Sequence, residues 1–297
     1  LRISDFFIGI TLVALGTSLP ELIVSLLAGF SHSGQLVIGN IVGSNVANIA
    51  LILGICGMIK TVKIQPDTLI KRDIPFIILS GIILFVLGFD QIFQNHNVTF
   101  NRLTMGDGII LLAFFVIFLF NIFGNFKNSR ALDAAAESKK KTYCKETVLH
   151  LALKITGGLL AVIGGGKLVV DNAISLATLL GVSEGIIGLT IVAIGTSLPE
   201  AVTTIVAVKK QKEEIAIGNI IGSNTINVFF ILGIVATVAP LELSSPMMID
   251  IAVMVAISIL LFLIGYFHKK IGRFSGTALL ISYGAYMIFI SLREFHF

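Results

Sequence analysis

Two glutamates sit where a carboxylate is costly to keep. Glu21 and Glu200 each close the same six-residue motif, Gly16-Thr17-Ser18-Leu19-Pro20-Glu21 and Gly195-Thr196-Ser197-Leu198-Pro199-Glu200, inside long apolar runs. A charged side chain at the centre of a bilayer costs about 2.5–3.5 kcal/mol on insertion scales, so an acid retained there reads first as functional. Two such acids in one site would repel, and one would take a proton unless a bound cation matched their charge. The prolines supply further ligands. Proline has no N–H, so the carbonyls of Gly16 and Gly195 lose their helical partners and the ring opens the turn. Gly16 and Gly195 are expected to allow the bend. Freed backbone oxygens beside the hydroxyls of Thr17, Ser18, Thr196 and Ser197 make an all-oxygen environment. Hard cations such as calcium or sodium favour it, calcium taking roughly six to eight oxygens at about 2.3–2.6 Å. No soft ligand stands nearby, which argues against copper or zinc.

A second block repeats too. Ile38-Gly39-Asn40-Ile41, Gly43-Ser44-Asn45 and Asn48 return as Ile217-Gly218-Asn219-Ile220, Gly222-Ser223-Asn224 and Asn227. Ser44 and Asn48 are four apart and share a helical face, as do Ser223 and Asn227. Gly39 and Gly43, like Gly218 and Gly222, form small-xxx-small faces. These allow close helix approach and can be packing motifs alone.

The elements that must position these residues are membrane helices. Of 297 residues, 56% are hydrophobic and 13% charged, against about 25% charged in soluble domains. Mean hydropathy is +0.99. A net charge of +4 is too small to suggest nucleic-acid binding. Nine apolar runs can each span a bilayer: 5–30, 35–59, 73–89, 105–124, 150–180, 184–208, 214–240, 247–267 and 273–292. No segment reads as strands. Lysine and arginine collect in alternate connections, at 60–72, 127–145, 209–212 and 269–273. By the positive-inside rule these face the cytoplasm, putting Leu1 inside and Phe297 outside. The connection 125–147 is then a short cytoplasmic linker, with one helix expected at 132–141. Cys56 and Cys144 give no disulfide framework, and the five histidines show no metal-ligand spacing. Lys167 and Asp171 read as a neutralising pair, and Asp73, Asp107, Glu242 and Asp250 as structural residues near span ends.

Residues 1–60 align with 180–239 at a constant offset of 179 without a gap, with about 26 identities. The motif copies fall on the first and sixth visible spans. Five spans apart is an odd number, so the copies cross in opposite directions. The expected fold is an all-α integral membrane protein made of an inverted-topology repeat, as in many secondary transporters. The halves are 1–124 and 148–297, and their repeat blocks are 1–60 and 180–239. The second half has a helix at about 150–180 with no counterpart in the first. A helix before Leu1 is therefore expected, giving ten spans in two five-helix halves. No signal peptide is read at the start.

At this point the blocks resemble the alpha-1 and alpha-2 repeats of the sodium/calcium exchanger family, within the calcium/cation antiporter superfamily. The resemblance runs over essentially the whole chain. It implies that Glu21 and Glu200 hold calcium or sodium alternately. It implies that Thr17, Ser18, Thr196 and Ser197, with the carbonyls of Ala14 and Ala193, complete flanking sodium sites, and that Ser44, Asn48, Ser223 and Asn227 line the same cavity. Some relatives carry aspartate at the position of Asn227; here both symmetric positions are asparagine, so two carboxylates are expected. The large cytoplasmic calcium-sensing region of animal exchangers is absent, and no such regulation is expected. The implied activity is calcium/sodium antiport by alternating access, without cofactor or covalent chemistry, in the cell membrane, by a monomer. If the family's three-for-one stoichiometry holds, one net charge moves per cycle. A calcium/proton or potassium-dependent exchanger stays open, because facing carboxylates also carry protons. A passive channel is disfavoured, since channels usually arrange subunits around an axis. A membrane enzyme using the two glutamates is disfavoured too, for want of a nucleophile–histidine pair.

Overall fold

The computed structural model describes residues 5–64, 69–89, 101–133 and 148–294. Each expected span is a helix or a bent helix pair. The first run divides into α1 Asp5–Thr17 and α2 Leu19–Phe30, bent by 40°. Then come α3 Gly34–Ile59, α4 Ile74–Leu87, entered through a wide turn at Leu69–Asp73, α5 Met105–Asp133 and α6 Val148–Leu180. The second bent pair, α7 Glu184–Thr196 and α8 Leu198–Lys209, turns by 44°. The chain closes with α9 Glu213–Val238, α10 Ser245–His268 and α11 Arg273–Glu294. α5 continues beyond the expected end of its span at 124. The helix expected at 132–141, and Cys144, lie largely or wholly outside the described residues.

The bends fall on Ser18 and Ser197, each followed by leucine and then proline in the first turn of the next helix. Proline is tolerated there because the missing N–H would have had no partner. Glycine is not what permits the elbow. Gly16 and Gly195 lie inside α1 and α7, and neither has a positive φ. The sequence expectation for these two glycines is corrected: proline breaks the ladder, and Ser18 and Ser197 absorb the turn.

α3 and α9 form the centre. Their most apolar windows are 94% and 83% buried, against 28% for α5 and α11, which therefore face lipid. Each central helix packs on the broken helix of the other half, α3 on α7 and α9 on α1. Apolar burial drives no association within lipid, so backbones must come close and pack well. A Cβ added at Gly43 would lie 2.5 Å from Leu189 O, and one at Gly222 lies 2.5 Å from Ile10 O. The glycine faces are thus packing seams between the halves. The outer helices follow the same exchange: α11 lies on the end of α3 and α5 on the end of α9.

Four i→i+5 turns interrupt these helices in matched places, Gly9–Val13 with Gly188–Val192 and Ala47–Ile52 with Ile226–Leu232. Such wide turns insert a residue and often mark functional positions. Here they precede both Thr-Ser elbows and contain Asn48 and Asn227.

Short strands also occur, contrary to the sequence expectation. Val62–Lys63 pairs with Lys270–Ile271, and Asn101–Leu103 pairs with Leu241–Leu243. They lie in the connections, where polar backbone leaving a helix needs partners, and too few residues are involved to show a period. Each pair joins one half to the other.

Candidate cation-binding site

The two elbows meet at the centre of the fold. Glu21 and Glu200 are both 0% exposed. Each elbow reaches across to the other half's acid. Ser18 Oγ donates to Glu200 Oε1 at 3.2 Å, and Ser197 Oγ donates to Glu21 Oε1 at 3.4 Å. Ser223 adds a second hydroxyl on Glu200 Oε1 at 3.2 Å. Its counterpart Ser44 turns instead to the second elbow, 3.3 Å from Thr196 Oγ1 and 3.4 Å from the carbonyl of Ala193.

The carbonyls of Ala14 and Ala193 accept the amides of Ser18 and Ser197 at 3.0 and 3.1 Å. The hydroxyls of Thr17 and Thr196 approach the same two carbonyls at 3.4 and 3.3 Å. Thr17 and Thr196 make shorter bonds across the halves, to Asn219 Oδ1 at 3.1 Å and Asn40 Oδ1 at 3.0 Å. Each carries one hydroxyl proton, so the shorter bond leaves oxygen lone pairs on the hydroxyl and on the alanine carbonyl. The elbow residues, the two alanine carbonyls, Ser44 and Ser223 thus gather in one oxygen-rich region, while Asn48 and Asn227 lie fully buried in wide turns of α3 and α9 that pack on α8 and α2.

The balance of donors and acceptors is more telling. Among the described residues, five buried side-chain oxygens or nitrogens have no hydrogen-bond partner. Four are Glu21 Oε2, Glu200 Oε2, Asn48 Oδ1 and Asn227 Oδ1; the fifth is Tyr283 Oη. The four are two pairs related by the repeat offset. A buried polar group without a partner costs about 1–3 kcal/mol, and more if charged. Four at positions related by the repeat form a symmetric set of buried acceptors rather than scattered imperfections. Two carboxylate and two amide oxygens, with hydroxyls and carbonyls behind them, suit a hard cation. No cluster of three or more His, Cys, Asp or Glu side chains occurs among the described residues, so most of the oxygens around the two carboxylates are neutral.

The profile of the family described as "Sodium/calcium exchanger protein" matches residues 1–124 and 150–292. The chain belongs to the sodium/calcium exchanger family. It is 33% identical to sodium/calcium exchanger MaX1 of Methanosarcina acetivorans, over 97% of this chain and 89% of that protein. It is 35% identical to inner membrane protein YrbG of Escherichia coli, over 87% of this chain and 77% of that protein. A solved structure of the sodium-calcium exchanger NCX_Mj, soaked with sodium and strontium, superposes with a TM-score of 0.70 at 32% identity. The match covers 96% of this chain and 87% of that one.

Within this exchanger fold, some polar residues had no assigned role in the sequence. Asn40 and Asn219 hold the two threonine hydroxyls and are themselves held by Ser25 Oγ and Thr204 Oγ1, at 3.1 Å each. Asn45 and Asn224 are fully buried between the halves. All of the asparagines recur in the repeated block, which was the available signal. Three of the other acids are paired or capping. Asp250 is held by Arg293 through two bonds of 3.1 Å and by Tyr286 at 3.0 Å. Asp73 pairs with Arg72 at 2.7 Å. Asp107 caps α5 through Thr104 at 2.8 and 2.7 Å. Lys167 and Asp171 are both exposed on α6, with no ion pair between them.

Proposed function

We propose that this chain is a secondary active antiporter that exchanges calcium for sodium across the membrane by alternating access. The observation that carries this is the set of four orphaned oxygens, on Glu21, Glu200, Asn48 and Asn227, enclosed between two halves of opposite direction. Glu21 and Glu200 are the central ligands. Thr17, Ser18, Thr196 and Ser197, with the carbonyls of Ala14 and Ala193, complete flanking sites for sodium, and Ser44, Asn48, Ser223 and Asn227 line the same cavity. Two carboxylates bring two negative charges, which one calcium or two sodium ions neutralise. The ion sets therefore exclude each other, and exclusion is the basis of exchange.

The glutamates are inaccessible on both sides in this conformation. Movement of the broken helices along the glycine seams would open one side at a time, since helices packed through small residues have no interlocking side chains to hold them. The halves 1–124 and 148–297 lie in one chain, so a monomer contains the whole site. The lysine-rich linker 125–147 faces the cytoplasm and Phe297 faces outward, in a multi-pass protein of the cell membrane. The chemistry is transport rather than catalysis.

The test is reconstitution in liposomes. Calcium uptake should follow an outward sodium gradient and vanish with Glu21→Gln or Glu200→Gln. Uptake driven by a proton gradient and indifferent to sodium would overturn the sodium assignment. A requirement for potassium would add a co-ion, and uptake needing no counter-ion would indicate a channel.

A further inference from the structure

We infer that Asn45 and Asn224 are positioning residues that decide which end of the Asn48 and Asn227 amides faces the cation, an assignment that rests on the cation-site reading above. An asparagine amide has an oxygen at one end and an NH2 at the other. Only the oxygen ligates a cation. Something must therefore fix the direction of each amide, and near-equal shape cannot do it.

The hydrogen bonds trace how it is fixed. Asn224 Nδ2 donates to the backbone carbonyl of Asn45 at 3.1 Å. A backbone carbonyl only accepts, so this bond sets the direction of the Asn224 amide. Its Oδ1 is then turned to Asn48, whose Nδ2 donates to it at 2.9 Å. That leaves Asn48 Oδ1 as the free end, and it is one of the four orphaned oxygens. The mirror chain runs through the other half. Asn45 Nδ2 donates to the carbonyl of Asn224 at 3.1 Å, and Asn227 Nδ2 donates to Asn45 Oδ1 at 3.0 Å. Asn227 Oδ1 is the free end there. Two backbone carbonyls thus act as fixed references, and two buried asparagines relay their direction to two ligands. The reciprocal bonds also tie α3 to α9, so both ligands are oriented from the opposite half.

The test is a double-mutant cycle that asks about orientation. Asn224→Leu keeps the branched shape and heavy-atom count, with bulkier ends, and removes the acceptor for Asn48. Half-saturating calcium for sodium-driven calcium-45 uptake should rise about tenfold or more, the equivalent of about 1.4 kcal/mol, with maximal rate changed less than about threefold. Asn48→Asp makes both ends of the ligand oxygen, so direction no longer matters. In that background the introduced carboxylate faces Asn224 Oδ1, acceptor to acceptor, so Asn224→Leu should leave half-saturation unchanged or lower it rather than raise it, a non-additivity expected of coupled residues. Asn45→Leu with Asn227→Asp repeats the cycle in the mirror chain. Asn224→Ala and Asn224→Ser are scored alongside, and any variant eluting as a single gel-filtration peak suffices. An equal rise in both backgrounds, or a loss of maximal rate alone, would overturn the assignment. Glu21→Gln separates the two levels: if it leaves uptake intact, the site itself falls. If it abolishes uptake while the cycle is additive, only the positioning role falls.

Discussion

The glycine seams make a quantitative prediction about how the halves touch. At Gly43 an added methyl would stand 2.5 Å from Leu189 O, 2.7 Å from Ala193 Cβ and 2.8 Å from Leu189 Cα. At Gly222 it would stand 2.5 Å from Ile10 O and 2.7 Å from Ala14 Cβ. Good contact between carbon atoms lies near 3.5–4.0 Å, and much of what is struck is backbone that cannot rotate away. Gly43→Ala must push α3 from α7 by a large part of an ångström. Overpacking of this kind costs about 1–3 kcal/mol. The displacement lands on Ala193 or Ala14, whose carbonyls stand at the elbows, so ion affinity should fall with stability. Gly16→Ala is the contrast, because nothing lies within 4 Å of a Cβ there. Replacing a helical glycine by alanine favours the helix by about 0.8–1.0 kcal/mol, so this variant should melt at or above wild type. The assay is thermal melting of purified protein in detergent, with calcium uptake measured in parallel. Gly43→Ala and Gly222→Ala melting with wild type, or Gly16→Ala proving as damaging as either, would refute the seam.

Acid should inhibit. Protons and cations compete for the same oxygens of Glu21 and Glu200, and each proton bound removes one negative charge from the site, so sodium-driven uptake should decline as pH falls; a rate flat well into the acid range would count against shared carboxylates. If three sodium ions leave for each calcium, uptake should respond to membrane potential at about 2.3 kcal/mol per 100 mV, measurable with potassium–valinomycin potentials in vesicles; no response would fix an electroneutral cycle. Arg293→Ala strands Asp250, which is 1% exposed. Losing one partner of a buried pair costs about 3–5 kcal/mol, so this change should reduce the yield of folded protein while leaving the sodium-to-calcium preference of the surviving fraction unchanged.

Much of the site was legible because the repeat exposes it. Glu21 and Glu200 are conspicuous in apolar runs, and Pro20 and Pro199 mark the elbows. What sequence could not supply is which atom meets which. Ser44 and Ser223 occupy equivalent positions, yet one turns to Thr196 and the other to Glu200. The wide turns at Asn48 and Asn227 shift the helical register, and no residue type announces such a turn. Asn45 and Asn224 read as repeated polar residues, but their partners come from the opposite half, at a separation of 179 residues. The role given to Gly16 and Gly195 failed because a glycine one helical turn before a proline suggests a hinge, while the backbone turns at the serines. The short strand pairs escaped because two or three residues carry no period.

The central claim is that calcium and sodium share one buried set of oxygens. Calcium titration by calorimetry, on the purified chain in detergent, tests it without transport. One calcium ion should bind per chain, sodium should weaken that binding competitively, and the double variant Glu21→Gln with Glu200→Gln should bind none. Calcium binding that persists in the double variant, or that sodium leaves unchanged, would contradict the account.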